Sequence, residues 1–122
     1  MLFRSQARDI TTELHVDDRA VAGSPADPLV YRVAREALRN VAAHAEASTV
    51  RVDVTREDPS IIRLTVTDDG RGFDAARRAE RAQDGHVGLT LLEDLVAQQG
   101  GTLVVRSQPG EGTTVELEAP AT

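Results

Sequence analysis

Residues 49–72 read TVRVDVTREDPSIIRLTVTDDGRG. Thr49 to Glu57 and Ile61 to Thr67 both alternate, the pattern of strands with one buried face, and Asp58-Pro59-Ser60 between them has the composition of a turn. The stretch therefore predicts a β-hairpin, half buried on one side. Asp68-Asp69-Gly70-Arg71-Gly72 ends it, because two glycines at that spacing supply positive φ or let the backbone approach something closely.

Upstream, Leu29, Val30, Val33, Ala34, Ala37, Leu38 and Val41 fall on one stripe at helical spacing. Asp27 followed by Pro28 marks the helix start, the aspartate oxygen capping free N–H groups and the proline taking the first helical position. Glu46 to Ser48 breaks the helix. Thr11 to Val16 alternates and stops at Asp17-Asp18, which predicts a first strand at a sheet edge; residues 1–10 are amphipathic and receive no element.

Downstream, Asp74 to Asp84 has the Ala and Arg content of a short exposed helix, ended by Gly85. Val87 to Gln99 is a second amphipathic helix stopped by Gly100-Gly101. Leu103 to Arg106 and Thr113 to Ala119 form a closing hairpin around Pro109-Gly110-Glu111-Gly112. The order strand, helix, hairpin, loop, helix, hairpin predicts an α+β fold: a mixed, mostly antiparallel sheet covered on one face by helices, with residues 1–122 forming one domain.

Composition narrows the function. The net charge of −6 repels nucleic-acid phosphates and gives no general attraction to anionic membrane, so any phosphate ligand must be held locally. The absence of cysteine removes disulfides, thiolate nucleophiles and thiolate metal sites. Aromatic residues are only 2% of the chain, so the core must be aliphatic. No apolar run is long enough to span a bilayer as a helix, and a cytoplasmic location is expected.

Four segments carry polar chemistry. Glu36, Asn40 and His44 stand four apart, which on a continuous helix lines a carboxylate, an amide and an imidazole on one face. The ordinary reading of such a triplet is a solvated helix face. Asp68-x-Gly-x-Gly follows a strand directly, where Asp68 can accept from an amine such as the exocyclic amino group of a purine; it also reads as an acidic tight turn. Gly85-His86-Val87-Gly88-Leu89 opens a helix, whose free N–H groups and positive dipole end favour an anion, although any helix start has them. Gly110, Gly112 and Thr113 alone are a hairpin loop. Neither a Gly-Lys-Ser/Thr phosphate loop nor a three-glycine dinucleotide fingerprint is present.

In their order and spacing these segments resemble the catalytic domain of sensor histidine kinases in the GHKL superfamily, shared with gyrase, a heat-shock chaperone and mismatch-repair ATPases. Arg35-Glu36-Ala37-Leu38-Arg39-Asn40 with His44-Ala45 is similar to the N box of the nitrate-sensor branch. Asp68 to Gly72 with Phe73 is similar to the G1 box, and His86-Val87-Gly88-Leu89 to the G2 box. Gly100-Gly101 through Ser107-x-Pro-Gly-x-Gly-Thr113 resembles the closing hairpin. The resemblance runs from about Phe3 to Pro120 and implies a two-layer α/β sandwich of the Bergerat ATP-binding type.

It also implies roles. Asn40 would ligate Mg²⁺ bridging the phosphates of ATP, and Asp68 would accept from the adenine amino group. Gly70, Gly72, Gly88 and Leu89 would form the pocket wall and phosphate cradle. Thr113 would support Asp68, directly or through water. Glu36 would polarise or deprotonate the attacking histidine of a partner domain. Ala43 stands where many relatives carry a Lys or Arg that touches phosphate, so His44 or a lid group would compensate; His86 stands where many have glycine and would reach phosphate or face solvent. The implied partner is a helical dimerisation domain carrying the phosphoacceptor histidine, encoded before residue 1, with a response regulator beyond it. None of His15, His44 and His86 has the acidic neighbour of the family's phosphoacceptor. Two rivals are an anti-sigma-factor serine kinase of the same superfamily and a degenerate regulatory module that binds ATP without catalysis.

Overall fold

The computed structural model describes residues 2–4, 10–21, 23–72 and 87–121. Its strands are β1 (Leu2–Arg4), β2 (Thr11–Val16), β3 (Thr49–Asp58), β4 (Ile61–Asp68), β5 (Thr102–Ser107) and β6 (Thr113–Pro120). Its α-helices are α1 (Asp27–Asn40) and α2 (Val87–Gln98). One six-stranded sheet has the order β1-β2-β3-β4-β6-β5. All neighbouring pairs are antiparallel except β2 and β3, which α1 connects and which run parallel.

The central hairpin forms as the alternation predicts. Val52 lies opposite Val66 and Val54 opposite Leu64, and the same register continues into β6, where Leu64 meets Leu117 and Val66 meets Val115. Every second residue of these strands faces the helices: Val50, Val52, Ile62, Leu64, Val66, Val115, Leu117 and Ala119 are buried. The turn between β3 and β4 is held by Asp58, whose Oδ1 accepts from the Ser60 amide at 2.8 Å and its hydroxyl at 2.7 Å. These two bonds hold the Asp58 carboxyl below its usual range. The opposite face is polar, with cross-strand ion pairs Arg63–Glu118 and Arg106–Glu116; such exposed pairs add little stability.

Both helices lie on the apolar face. Leu29, Val33 and Ala37 of α1 and Leu89, Leu92 and Val96 of α2 are buried in one aliphatic core, with Val30, Ala34 and Leu38 packed at its margin. α2 ends in a Schellman motif: Gly101 N–H donates to Val96 O at 2.9 Å and Gly100 N–H to Ala97 O at 3.1 Å, with Gly100 at φ +82°.

Three local expectations change. Thr11–Val16 is not an edge strand, since β1 pairs with it antiparallel from Leu2↔Glu13 to Arg4↔Thr11; such a non-local partner leaves no mark within the strand's own residues. The start of α1 is capped one turn earlier than expected. Ser24 Oγ accepts from Ala26 N–H at 3.0 Å, and the Asp27 carboxylate reaches back to Ser24 N–H at 3.1 Å, so Ser24 and Asp27 form the two halves of a capping box. The helix also does not run evenly to Glu46, because Val41–Ala45 winds as a π turn that closes on Glu46 at φ 52°. The expected exposed helix over Asp74–Asp84 lies outside the described residues.

Candidate nucleotide site

The strand alternation that buries Ile62, Leu64 and Val66 carries on to Asp68, the last residue of β4, and turns it to the same face. Asp68 is 7% exposed and is the one buried charged side chain among the described residues. Its register partners are Val50 on β3 and Thr113 on β6, and its Oδ1 accepts from Gly70 N–H at 2.8 Å. Burial pushes the carboxyl above the usual range; hydrogen bonds from the Gly70 and Thr113 amides pull the other way, and the neighbouring Asp69 charge adds to the rise.

Asp69 points elsewhere and does different work. Its Oδ1 accepts from Ser48 N–H and Thr49 N–H, both at 2.9 Å. This clasp ties the end of β4 to the segment that leaves the π turn and enters β3. Sequence reading assigned Asp69 nothing, although its strand parity, opposite to that of Asp68, already separates the two carboxylates.

The two glycines flanking this turn are explained by packing within the chain. A Cβ on Gly72, at φ +64°, would stand 2.1 Å from Gln108 O; one on Gly112, at φ +75°, would stand 2.2 Å from Asp68 O. The Asp68 turn and the β5–β6 turn thus meet backbone to backbone, and Gly110 N–H donates to Arg71 O at 2.6 Å. Gly72 was expected to line a ligand pocket, and what approaches it is the closing hairpin. Thr113 is the register partner of Asp68 on β6, and its backbone amide is among the groups that pull the Asp68 carboxyl down. Its hydroxyl bonds instead to Ser107 Oγ at 2.8 Å, while Ser107 Oγ is also 2.8 Å from Gly112 O.

Asn40 is the last residue of α1, at the junction with the π turn. Its Nδ2 is buried with no hydrogen-bond partner, which is costly unless a ligand completes it. The Glu36–Asn40 end of the helix face is therefore turned partly inward, unlike a solvated face. The chain passes from Asn40 into the π turn that contains His44, and π turns recur at functional sites. The structure places His44 by its backbone alone. Glu36 is partly buried, with Oε2 3.7 Å from Arg39 Nη1, and Ala43 is exposed. Gly88 and Leu89 lie in the first turn of α2; the Leu89 side chain belongs to the core at 1% exposure, leaving only its backbone for a cradle. Phe73, Gly85 and His86 lie outside the described residues.

A raised Asp68 predicts a pH effect with a definite sign. A folded carboxyl titrating above its unfolded value contributes stability that is complete below the unfolded pKa and lost as pH rises through the folded one. An amine-bearing ligand needs the ionised acceptor, so its affinity should fall on acidification, starting at a higher pH than an ordinary aspartate would give. Titrations of ADP across the acid range check this, and Asp68→Asn, which does not titrate, should flatten the profile.

The sequence profile of the family described as histidine kinase-, DNA gyrase B- and HSP90-like ATPase matches residues 26–122. The chain belongs to this family. It is 39% identical over 94 residues to the sensor histidine kinase NarS of Mycobacterium tuberculosis, a match covering 77% of this chain and 22% of that protein. To the sensor histidine kinase LiaS of Bacillus subtilis it is 32% identical over 118 residues, covering 97% of this chain and 31% of LiaS. Its fold is that of the histidine kinase domain of the Erythrobacter litoralis EL346 blue-light activated kinase, with a TM-score of 0.70 at 23% identity, covering 96% of this chain and 53% of that one. The domain thus spans between about a fifth and a third of the curated relatives it matches. No described helix is long and apolar enough to cross a membrane.

Proposed function

We propose that this chain is the ATP-binding catalytic domain of a sensor histidine kinase, one domain of a longer cytoplasmic or membrane-anchored protein, acting in the cytoplasm. The observation that carries this reading is the buried Asp68 carboxylate at the end of β4, together with an unpartnered buried amide at the end of α1. A buried carboxylate that accepts from the Gly70 and Thr113 amides still has lone pairs for an adenine amino group. Gly70 and Thr113 amides orient it, and the Asp69 clasp ties that turn to the start of β3, which follows α1 and the π turn.

The same residues fit Mg²⁺. A half-turn of the Asn40 amide exchanges nitrogen for oxygen and presents an acceptor where a partner is lacking. Among the described residues no group of three or more His, Asp or Glu gathers as a cage, so a cation here would take most of its ligands from phosphate and water. When bound, Mg²⁺ supplies charge neutralisation at the phosphates. The first turn of α2 offers backbone N–H groups to the same anion.

Glu36, one helical turn before Asn40, is the carboxylate assigned to accept the proton of an attacking histidine. That histidine belongs to a separate dimerisation domain of the parent kinase, and the phosphate passes on to a response regulator. The expected result for Asn40→Ala is a much larger loss of nucleotide affinity with Mg²⁺ present than with EDTA; an equal loss would make Asn40 structural. The reading as a whole is tested with labelled Mg-ATP. The chain alone should gain no stable phosphate, while the parent's dimerisation domain supplied in trans should be phosphorylated slowly. Glu36→Gln should bind nucleotide normally and transfer less. Acid-labile phosphate on this chain alone, or full transfer by Glu36→Gln, counts against the reading.

A further inference from the structure

Three polar side chains share one row across the end of the sheet. Thr113 is the register partner of Asp68 on one side and of Ser107 on the other. Its strand parity with the buried Val115 and Leu117 turns it to the helix-covered face that Asp68 also occupies. Opposite residues on one face of an antiparallel pair have Cβ atoms about 4.5–5.5 Å apart, so the Thr113 and Asp68 side chains are immediate neighbours.

The hydrogens of this row can be counted. Ser107 Oγ is 2.8 Å from Gly112 O and 2.8 Å from Thr113 Oγ1. A carbonyl oxygen only accepts, so the first bond uses the single hydroxyl hydrogen of Ser107, and the second must use that of Thr113. What the Thr113 hydroxyl keeps for any other partner is lone pairs. An ionised carboxylate is acceptor-only as well, and Asp68 receives its bonds from the Gly70 and Thr113 amides. Asp68 and Thr113 therefore stand side by side as two acceptors, with no side-chain hydrogen left to give.

We propose that Ser107 is a specificity-determining positioning residue of the nucleotide site: by taking the Thr113 hydrogen it keeps this pair acceptor-only, so that the pair receives an amino purine and turns away an oxo purine. An amino group brings two N–H donors, whereas an oxo group sets lone pairs against lone pairs with nothing in the pair to donate to it. Without the Ser107 hydroxyl, the Thr113 hydroxyl can rotate and donate, and an oxo group gains a partner. Ser107 acts through Thr113. The inference rests on the reading of Asp68 as the acceptor for the base.

The test titrates ADP and inosine diphosphate, which carry an amino and an oxo group at the same ring position, into the chain and its variants by calorimetry, with a thermal melt of each. The unaltered chain should prefer ADP. Ser107→Ala should cut that preference by roughly tenfold or more, and Ser107→Thr, which keeps the hydroxyl, should retain it. In a Thr113→Val chain, which has no hydroxyl to orient, adding Ser107→Ala should not change the preference further. A serine that only closes the β5–β6 turn through Gly112 would instead weaken both nucleotides alike. Equal affinity of the unaltered chain for the two, an equal loss of both in Ser107→Ala, or a further change in the Thr113→Val background overturns the proposal and leaves ADP binding itself standing. If the melt shows Ser107→Ala unfolded, Thr113→Val decides: the preference for ADP should fall, and an unchanged preference overturns the proposal. A folded chain that binds neither nucleotide overturns this inference and the nucleotide reading together.

Discussion

Replacing Asp68 with alanine is expected to lower ADP affinity by roughly ten- to a hundredfold, with the fold retained. The change deletes a hydrogen bond to a charged acceptor, worth about 1.5–3 kcal/mol, and every 1.4 kcal/mol is about tenfold in Kd. Retention of the fold follows from the direction of the pKa shift. Burial raises the Asp68 carboxyl, so its ionised form is a burden to the empty protein near neutral pH, and its removal gives back part of what is lost with the Gly70 and Thr113 contacts. Calorimetric affinities measured beside a thermal melt separate the two effects. Unchanged affinity in a folded variant would remove Asp68 from the adenine contact.

A second large effect is expected at Gly112, this time on stability. Alanine there has to adopt φ near +75° and place its Cβ 2.2 Å from Asp68 O. The left-handed conformation costs about 1–2 kcal/mol and relief of the overlap about 1–3 kcal/mol more. In a domain of this size the sum corresponds to a drop in Tm of roughly ten degrees or more. Because the clash is with the carbonyl of Asp68 itself, nucleotide affinity should fall as well. By contrast, Gly110→Ala should cost less: φ is again positive at +83°, but no atom lies within 4 Å of the added Cβ. Similar melting temperatures for the two variants would contradict the backbone-to-backbone packing of the two turns.

The contrast between Gly112 and Gly110 also marks what sequence can and cannot disclose. Both glycines have the turn composition that predicts a hairpin loop, and nothing local tells them apart. The difference lies in a contact with the distant end of β4. The same holds for Gly72, whose glycine is required by Gln108 O, and for β2, whose partner β1 is set by pairing and not by its own pattern. The β3–β4 hairpin and α1 were legible because their signals are periodic and local: the alternation fixes which residues of β4 face inward, and that parity extends to Asp68. The π turn after Asn40 was not legible. Val41 to Ala45 reads as ordinary helix, yet the chain must leave α1, reach Ser48 and place the Ser48 and Thr49 amides on Asp69. Of the candidate site, Asp68, Gly70, Gly72 and Thr113 are gathered around one turn, and the Asp69 clasp ties that turn to the segment that follows Asn40 and the π turn. Leu89 is mainly a core residue, which its apolar position on an amphipathic helix already indicated.

The central claim is that the buried carboxylate on β4 and the unpartnered amide on α1 are two ends of one nucleotide site. Calorimetric titration of Mg-ATP into the isolated chain tests it most directly. The account predicts saturable binding at one site per chain, weakened by Asp68→Ala in all conditions and by Asn40→Ala chiefly when Mg²⁺ is present. A folded chain that takes up no Mg-ATP, or binds it equally well with both residues replaced, would contradict it.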